Sequence, residues 1–313
     1  MTFDEERALA QVAKEAIKEL RQRRRWKIIF RLLWVAVMGV FFWQMFFAGE
    51  GLKGGVVPHV AVVEVHGIIS DGAVANAPDM IESLERAFSQ ETAQAVVLDI
   101  NSPGGSPVQS GQVYRAIRAL KQQYQKPVYA VISDMGASGA YYIAAAADEI
   151  YADPASVVGS IGVIAQSVGY EALADKLGLE PRTFTAGEYK DFLNGNRALK
   201  PKELEHMQAL LQALHRQFIA AVKEGRGERL QDSDEIFSGL FWTGEQSVAM
   251  GLTDGLSSMY EFKQAHFKES DFVVYSPDLS AWQQLARDVG VQMRVQLWHW
   301  LGLGEQANII HLK

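Results

Sequence analysis

Two glycine-rich turns hold the residues best suited to chemistry. Asn101-Ser-Pro-Gly-Gly105 closes one apolar run, and Asp134-Met-Gly-Ala-Ser-Gly-Ala-Tyr141 leads into an alanine-rich stretch. Glycine permits positive φ and lets a backbone approach a ligand closely. If the alanine-rich stretch is helical, Ser138 stands at its N-terminus, flanked by residues too small to block access. Free N–H groups and the positive end of a helix suit a developing oxyanion there. Gly-x-Ser-Gly is weakly specific taken alone, because it also serves as a helix cap or a tight packing point.

A serine hydroxyl needs a base. The seven histidines are His59, His66, His206, His215, His266, His299 and His311, so the segment holding both turns has no imidazole of its own. Cysteine is absent, which removes thiol nucleophiles, disulfides and thiolate metal sites. No HExxH or other metal-ligand spacing occurs, and no cofactor is expected. The remaining base for acyl chemistry near neutral pH is a lysine whose pKa is lowered by burial or a neighbouring cation. Lys176, Lys190, Lys200 and Lys202 lie downstream, and their types and positions do not choose among them.

The elements that must position these groups alternate. Val60–His66 reads as a strand, Ile81, Leu84, Ala87 and Phe88 recur at helical spacing, and Ala95–Ile100 is a buried strand before the first turn. A helical pattern through Val113, Ile117 and Leu120 follows, then a strand at Val128–Ile132. Strands separated by helices imply parallel pairing with right-handed crossovers, an α/β protein. Pro201 suits the first turn of a long helix whose apolar face runs from Leu204 through Leu211 and Phe218 to Val222, for a core or a subunit interface.

At 313 residues the chain has room for about two domains. A net charge of −7 and a pI near 5.6 argue against nucleic-acid binding. Charge is uneven, however. Residues 1–31 carry nine Lys/Arg against five Asp/Glu, and the seventeen residues Leu32–Ala48 that follow are apolar apart from Gln44. Counted from Ile28 with Arg31 snorkelling, a helix here is roughly 31 Å long, enough to span a ~30 Å hydrocarbon core. The acids in the basic segment, and the absence of a small residue before Phe47-Ala48, favour an uncleaved anchor over a signal peptide. The basic excess before the span keeps the N-terminus cytoplasmic and puts the rest outside, the periplasm in a two-membrane bacterium. The expected organisation is a cytoplasmic basic segment over 1–27, an anchor over 28–48, a glycine-rich linker over 49–59, a catalytic domain over 60–275 and a helical tail over 276–313.

Asn101-Ser-Pro-Gly-Gly105, Ser138-Gly-Ala-Tyr-Tyr, Gly159-Ser-Ile-Gly-Val163 and Ala186-Gly-Glu-Tyr-Lys190, in that order, resemble the signal peptide peptidase A family of membrane-bound serine proteases, in its short form. The similarity runs from about Val60 to Leu256. It implies the ββα superhelix of the crotonase and Clp-protease folds. It also implies Ser138 as nucleophile, Lys190 as general base, Ser160 as the hydroxyl that orients the lysine, and Gly105 and Gly139 as oxyanion-hole donors. A neutral lysine base implies a rate that rises toward alkaline pH. The family implies a homo-oligomeric ring or dome in which a neighbouring subunit supplies the lysine. Its substrates are remnant signal peptides and other short apolar peptides at an inner-membrane lipid surface. One departure is Leu240, where family members often carry arginine before a Trp/Tyr-Thr-Gly motif, here Trp242-Thr-Gly244. The rivals are a stomatin-partner-type membrane protease using the same dyad, an acyl-CoA enzyme of the crotonase fold, and a non-catalytic membrane scaffold.

Overall fold

The computed structural model describes residues 25–27, 29–39, 57–231 and 233–277. Residues 1–24 of the basic segment, 28 and 40–48 of the expected anchor, 49–56 of the linker and 278–313 of the tail lie outside the described residues. The chain divides into two units, Met1–Lys53 with Asp278–Lys313, and Gly54–Pro277. In the first, residues 25–27 and 29–39 are helical with almost wholly exposed side chains. Among the described residues no helix is long and apolar enough to cross a membrane.

The second unit is α/β. Its strands are β1 (His59–His66), β2 (Ala93–Ser102), β3 (Val128–Ala137), β4 (Glu149–Ala152), β5 (Val157–Gly159), β6 (Phe241–Thr243), β7 (Gly255–Leu256) and β8 (Asp271–Val274). Its helices are α1 (Ala77–Ser89), α2 (Pro107–Tyr124), α3 (Gly139–Ala144), α4 (Glu171–Lys176), α5 (Pro201–Arg226), α6 (Gly244–Ala249) and α7 (Met259–His266). β8, β1, β2 and β3 lie side by side in parallel. β3 then changes partner along its length: Tyr129–Ile132 pairs with β4, and Met135–Ala137 pairs with β5. β7 extends the first branch in parallel, while β6, a strand the sequence pattern did not announce, joins the second antiparallel.

Central strands buried on both faces read as continuous apolar runs. On one face Ala61, Val63, Val65, Leu98 and Ile100 pack with Leu84 and Phe88 of α1 and Ile117 of α2. On the other, Val60, Val62, Val97 and Val131 pack against Phe262 of α7. α1 and α2 start where Asn76 and Ser106 accept the Asp79 and Gln109 N–H groups, each with proline in the first turn. Both glycine turns therefore sit at the carboxyl ends of neighbouring central strands, where open α/β sheets place ligands.

Candidate active site

Ser138 is the single residue between β3 and α3. Its backbone is at φ 52°, ψ −123°, well away from the ordinary left-handed region near ψ +47°. A side chain held there costs about 1–3 kcal/mol and persists only where the surroundings over-determine it. Here its N–H donates to the Gly159 carbonyl (2.8 Å) and its carbonyl accepts the Tyr142 N–H (3.0 Å). The hydroxyl makes no helix-cap hydrogen bond and faces a cleft of about 160 Å³. A serine presented on a sharp strand-to-helix turn is the arrangement of a nucleophile elbow.

The first glycine turn packs directly onto this elbow. A Cβ on Gly104 (φ 90°) would stand 2.5 Å from the Gly139 nitrogen and 2.9 Å from Ser138 Cβ. The turn is fixed from the far side by Ile69, which straddles it. The Ile69 N–H donates to Gly104 O (2.9 Å), and Ile69 O accepts from the Ser106 N–H (2.7 Å). Ser102 Oγ adds a bond to Gly67 O (2.6 Å) and accepts from the Gly104 N–H (3.1 Å). On the outer side Asn101 Nδ2 donates to Asp134 Oδ2 (2.9 Å), tying the two turns together. Gly105 and Gly139 come close enough that a Cβ on Gly139 would lie 3.2 Å from the Gly105 nitrogen. Among the described residues, neither of those N–H groups donates to an acceptor of the chain. Both glycines line the cleft with Ser138, so the geometry holds a hydroxyl and two unengaged donors together, the parts that acyl transfer requires.

Ser160 lies one residue beyond the Gly159 that holds Ser138. It also has positive φ (51°), and its N–H donates to Leu240 O at 2.8 Å. The sequence departure at Leu240 thus supports Ser160 through its backbone, while its side chain is 49% exposed. Lys190 is not among the residues lining the cleft, and its side chain is exposed in the single chain, as are Lys176, Lys200 and Lys202. Burial within one chain therefore does not select a base.

Around the cleft and beside Lys190 the structure brings in residues that the sequence did not mark as functional. Asp191, next to Lys190, receives two bonds from the Arg197 guanidinium (2.6 and 2.8 Å), and Arg197 also grips Glu203 of α5 (2.6 and 2.9 Å). Those bonds hold both carboxyls down at about 2. α5 contributes Leu214, Gln217 and Phe218 to the cleft wall and carries His215, whose Nε2 lies 2.9 Å from Ile161 O and must donate to it. Behind α3, Tyr141 is fully buried and donates to Leu252 O (2.6 Å). Removal from water pushes its phenol well above the usual range.

Residues 120–271 match the model of peptidase family S49. The chain is 31% identical over 205 residues to a Synechocystis sp. protein described as a protease, covering 66% of this chain and 72% of that one. It is 43% identical over 229 residues to a Brucella melitensis protein named Na(+)/H(+) antiporter NhaA, covering 69% of this chain but only 31% of the relative. A serine protease SPPA of Arabidopsis thaliana chloroplasts is 31% identical over 218 residues, 67% of this chain and 32% of its own length. The chain thus spans about a third of two of these three relatives.

Proposed function

Because this chain belongs to peptidase family S49, we propose that it is a serine endopeptidase in which the Ser138 hydroxyl attacks a peptide carbonyl. The observation that carries the reading is the strained, cleft-facing Ser138 with the unengaged N–H groups of Gly105 and Gly139 beside it.

In this reading a neutral Lys190 takes the Ser138 proton and the alkoxide adds to the carbonyl carbon. The two N–H groups hold the oxyanion, Lys190 protonates the leaving amine, and water hydrolyses the acyl-enzyme. Ser160 orients the lysine. Lys190 comes from a neighbouring copy of the chain in a ring or dome. Supporting this, its segment carries Ile164, Val168 and Phe184 at 77%, 81% and 92% exposure, apolar surface suited to being covered by another protein face. The substrates are remnant signal peptides and other short apolar peptides, in keeping with the Pro107, Val108, Val163, Leu214 and Phe218 lining. An anchor over residues 28–48, with the catalytic unit outside the inner membrane, would raise the local concentration of such peptides.

The test is labelling by a serine-reactive fluorophosphonate. Wild type reacts and Ser138→Ala does not; equal labelling of both sinks the assignment. Lys190→Ala labels slowly. Mixing Ser138→Ala with Lys190→Ala subunits restores part of the activity if sites are shared between copies and none if they are not.

A further inference from the structure

We propose that Arg115 is a specificity residue of the cleft, its guanidinium pairing with a carboxylate of the bound peptide about two residues from the scissile bond. The proposal rests on the peptidase reading above and deepens it.

Pro107, Val108, Gly111 and Arg115 fall on one face of α2 and line the cleft. α2 begins just past Gly105, and long side chains on a helix lean back toward its N-terminus. Arg115 does so across a gap made by glycine: a Cβ on Gly111 would lie 3.2 Å from Arg115 Nη1 and 3.7 Å from the Tyr142 hydroxyl. Tyr142 is one turn of α3 beyond Ser138 and bonded to its carbonyl. The guanidinium thus lies between the helix of the nucleophile and the helix of the oxyanion turn, level with Gly111. Four residues of helix separate Gly111 from Pro107, roughly 6 Å, and an extended peptide advances roughly 3.3 Å per residue. For a peptide lying along α2 from its Gly105 end, that spacing corresponds to about two residues.

Its charge balance sets Arg115 apart from the other cations of α2. Arg118 pairs with Glu224 (2.8 Å), and Lys121 pairs with Asp148 (2.6 Å). Among the described residues Arg115 has no carboxylate partner, and it is the one charged side chain in the cleft lining. The nearby Glu224 is taken up by Arg118 and by the Tyr114 hydroxyl (3.1 Å). Arg115 is exposed at the rim of a cleft that holds no other charge, and an arginine fork without an internal counter-ion is matched there by a planar anion. A peptide can offer that anion as an acidic side chain or as its own C-terminus.

The experiment measures kcat/KM of the full-length protein in detergent on ten-residue apolar peptides. One set carries a single Glu or Gln moved stepwise along either side of the cleaved bond, and a second ends in a free carboxylate or an amide. The expected result is a preference of about tenfold for the carboxylate at one distance near two residues, the size of one charge-assisted hydrogen bond. The set that shows it identifies the source. Arg115→Gln lowers cleavage of the acidic peptides about tenfold more than that of their neutral partners and so removes the preference, Arg115→Lys keeps part of it, and Arg115→Glu shifts it to a lysine peptide. Equal cleavage of every acidic and neutral pair, or an equal fall on both in Arg115→Gln, overturns the proposal. If wild type cleaves none of the peptides, the peptidase reading is what fails. Fluorescence anisotropy of the same labelled pairs on Ser138→Ala, with and without Arg115→Gln, then decides the Arg115 contact by itself.

Discussion

Arg197 and Glu203 meet fork to fork, at 2.6 and 2.9 Å, with the Glu203 carboxylate almost wholly enclosed (1% exposed). Glu203 also accepts the Lys200 N–H that starts α5 (2.8 Å), and Arg197 makes a second fork to Asp191, the neighbour of Lys190. The segment bearing the proposed base is therefore clipped to the first turn of the helix that walls the cleft. Arg197→Met should lower kcat by about a hundredfold, the scale of a misplaced catalytic group, with little change in KM. Arg197→Lys, which keeps charge but not the fork, should recover only part. A KM effect with kcat intact would show that the clip does not position Lys190.

The same clip predicts a pH dependence of local order. Hydrogen bonds from Arg197 hold the Asp191 and Glu203 carboxyls at about 2, below their ordinary range. A carboxylate whose pKa is depressed by folding contributes stability that is complete above its unfolded value and is lost as pH falls toward the folded one. Amide protection across residues 188–203, taken relative to the intrinsic exchange rate at each pH, should fall between about pH 5 and pH 2, ahead of protection in β1 and β2. A uniform loss of protection across the whole unit would contradict this.

Gly139 is pressed against a hydroxyl that has no partner among the described residues. Ser110 is fully buried on α2, its Oγ makes no hydrogen bond, and a Cβ on Gly139 would collide with it. Gly139→Ala should cost about 1–3 kcal/mol of stability through overpacking. Adding Ser110→Gly should return most of that, because the obstructing atom is then gone. Ser110→Ala alone should be neutral or stabilising by about 1 kcal/mol, since an unpartnered buried hydroxyl is itself a cost. Urea unfolding of the four proteins checks the set, and a large loss in Ser110→Ala would mean that the hydroxyl is bonded after all.

What could be read ahead of the structure was punctuation and period. The glycine turns and the alternation of strand and helix announce an α/β sheet with Ser138 at a helix start, since both are local properties of the chain. The straddling of Gly105 by Ile69 is not local. It joins residues from the ends of β1 and β2 through backbone atoms, which carry no side-chain signature. The Arg197 clip was equally hidden, because the segment around Lys190 has no hydrophobic period and its charged residues look like solvated surface. The antiparallel β6 follows α5 as a three-residue strand, too short for an alternation pattern to show.

Gly104 makes the opposite prediction from Gly139. The two nearest atoms a Cβ would meet there are backbone, the Gly139 nitrogen at 2.5 Å and the Ala137 oxygen at 2.7 Å, and φ is 90°. No side-chain truncation can make room. Gly104→Ala should cost about 2 kcal/mol or more and abolish labelling of Ser138 by displacing the turn that carries the proposed oxyanion donor Gly105, with no rescue from Ser110→Gly. Labelling at the wild-type rate in folded Gly104→Ala protein would show that the turn and the elbow are not packed as described.

The rear of α3, the helix that starts at the proposed nucleophile Ser138, rests on a second ion pair, and its loss should be felt at the site. Arg226 is 1% exposed and grips Asp254 with two bonds (2.7 and 2.9 Å), its Nε donating to Gly251 O (2.8 Å). Asp254 in turn accepts the Ile150 N–H (2.7 Å) at the start of β4, and the adjoining Leu252 carbonyl receives the Tyr141 hydroxyl from α3. Burial alone would push the Asp254 carboxyl up, but the Arg226 hydrogen bonds, the Ile150 N–H and the two arginine charges outweigh it and hold it below its ordinary value. Its contribution is therefore complete above an unfolded pKa of about 4 and disappears as pH falls below that. Arg226→Met leaves the carboxylate enclosed without its main partner, which should cost about 3 kcal/mol near neutral pH. The gap to wild type should narrow as the solution is acidified below about pH 4, because protonation relieves the variant and weakens the parent. A gap that stays constant from pH 7 to pH 3 would show that Arg226 contributes packing rather than charge.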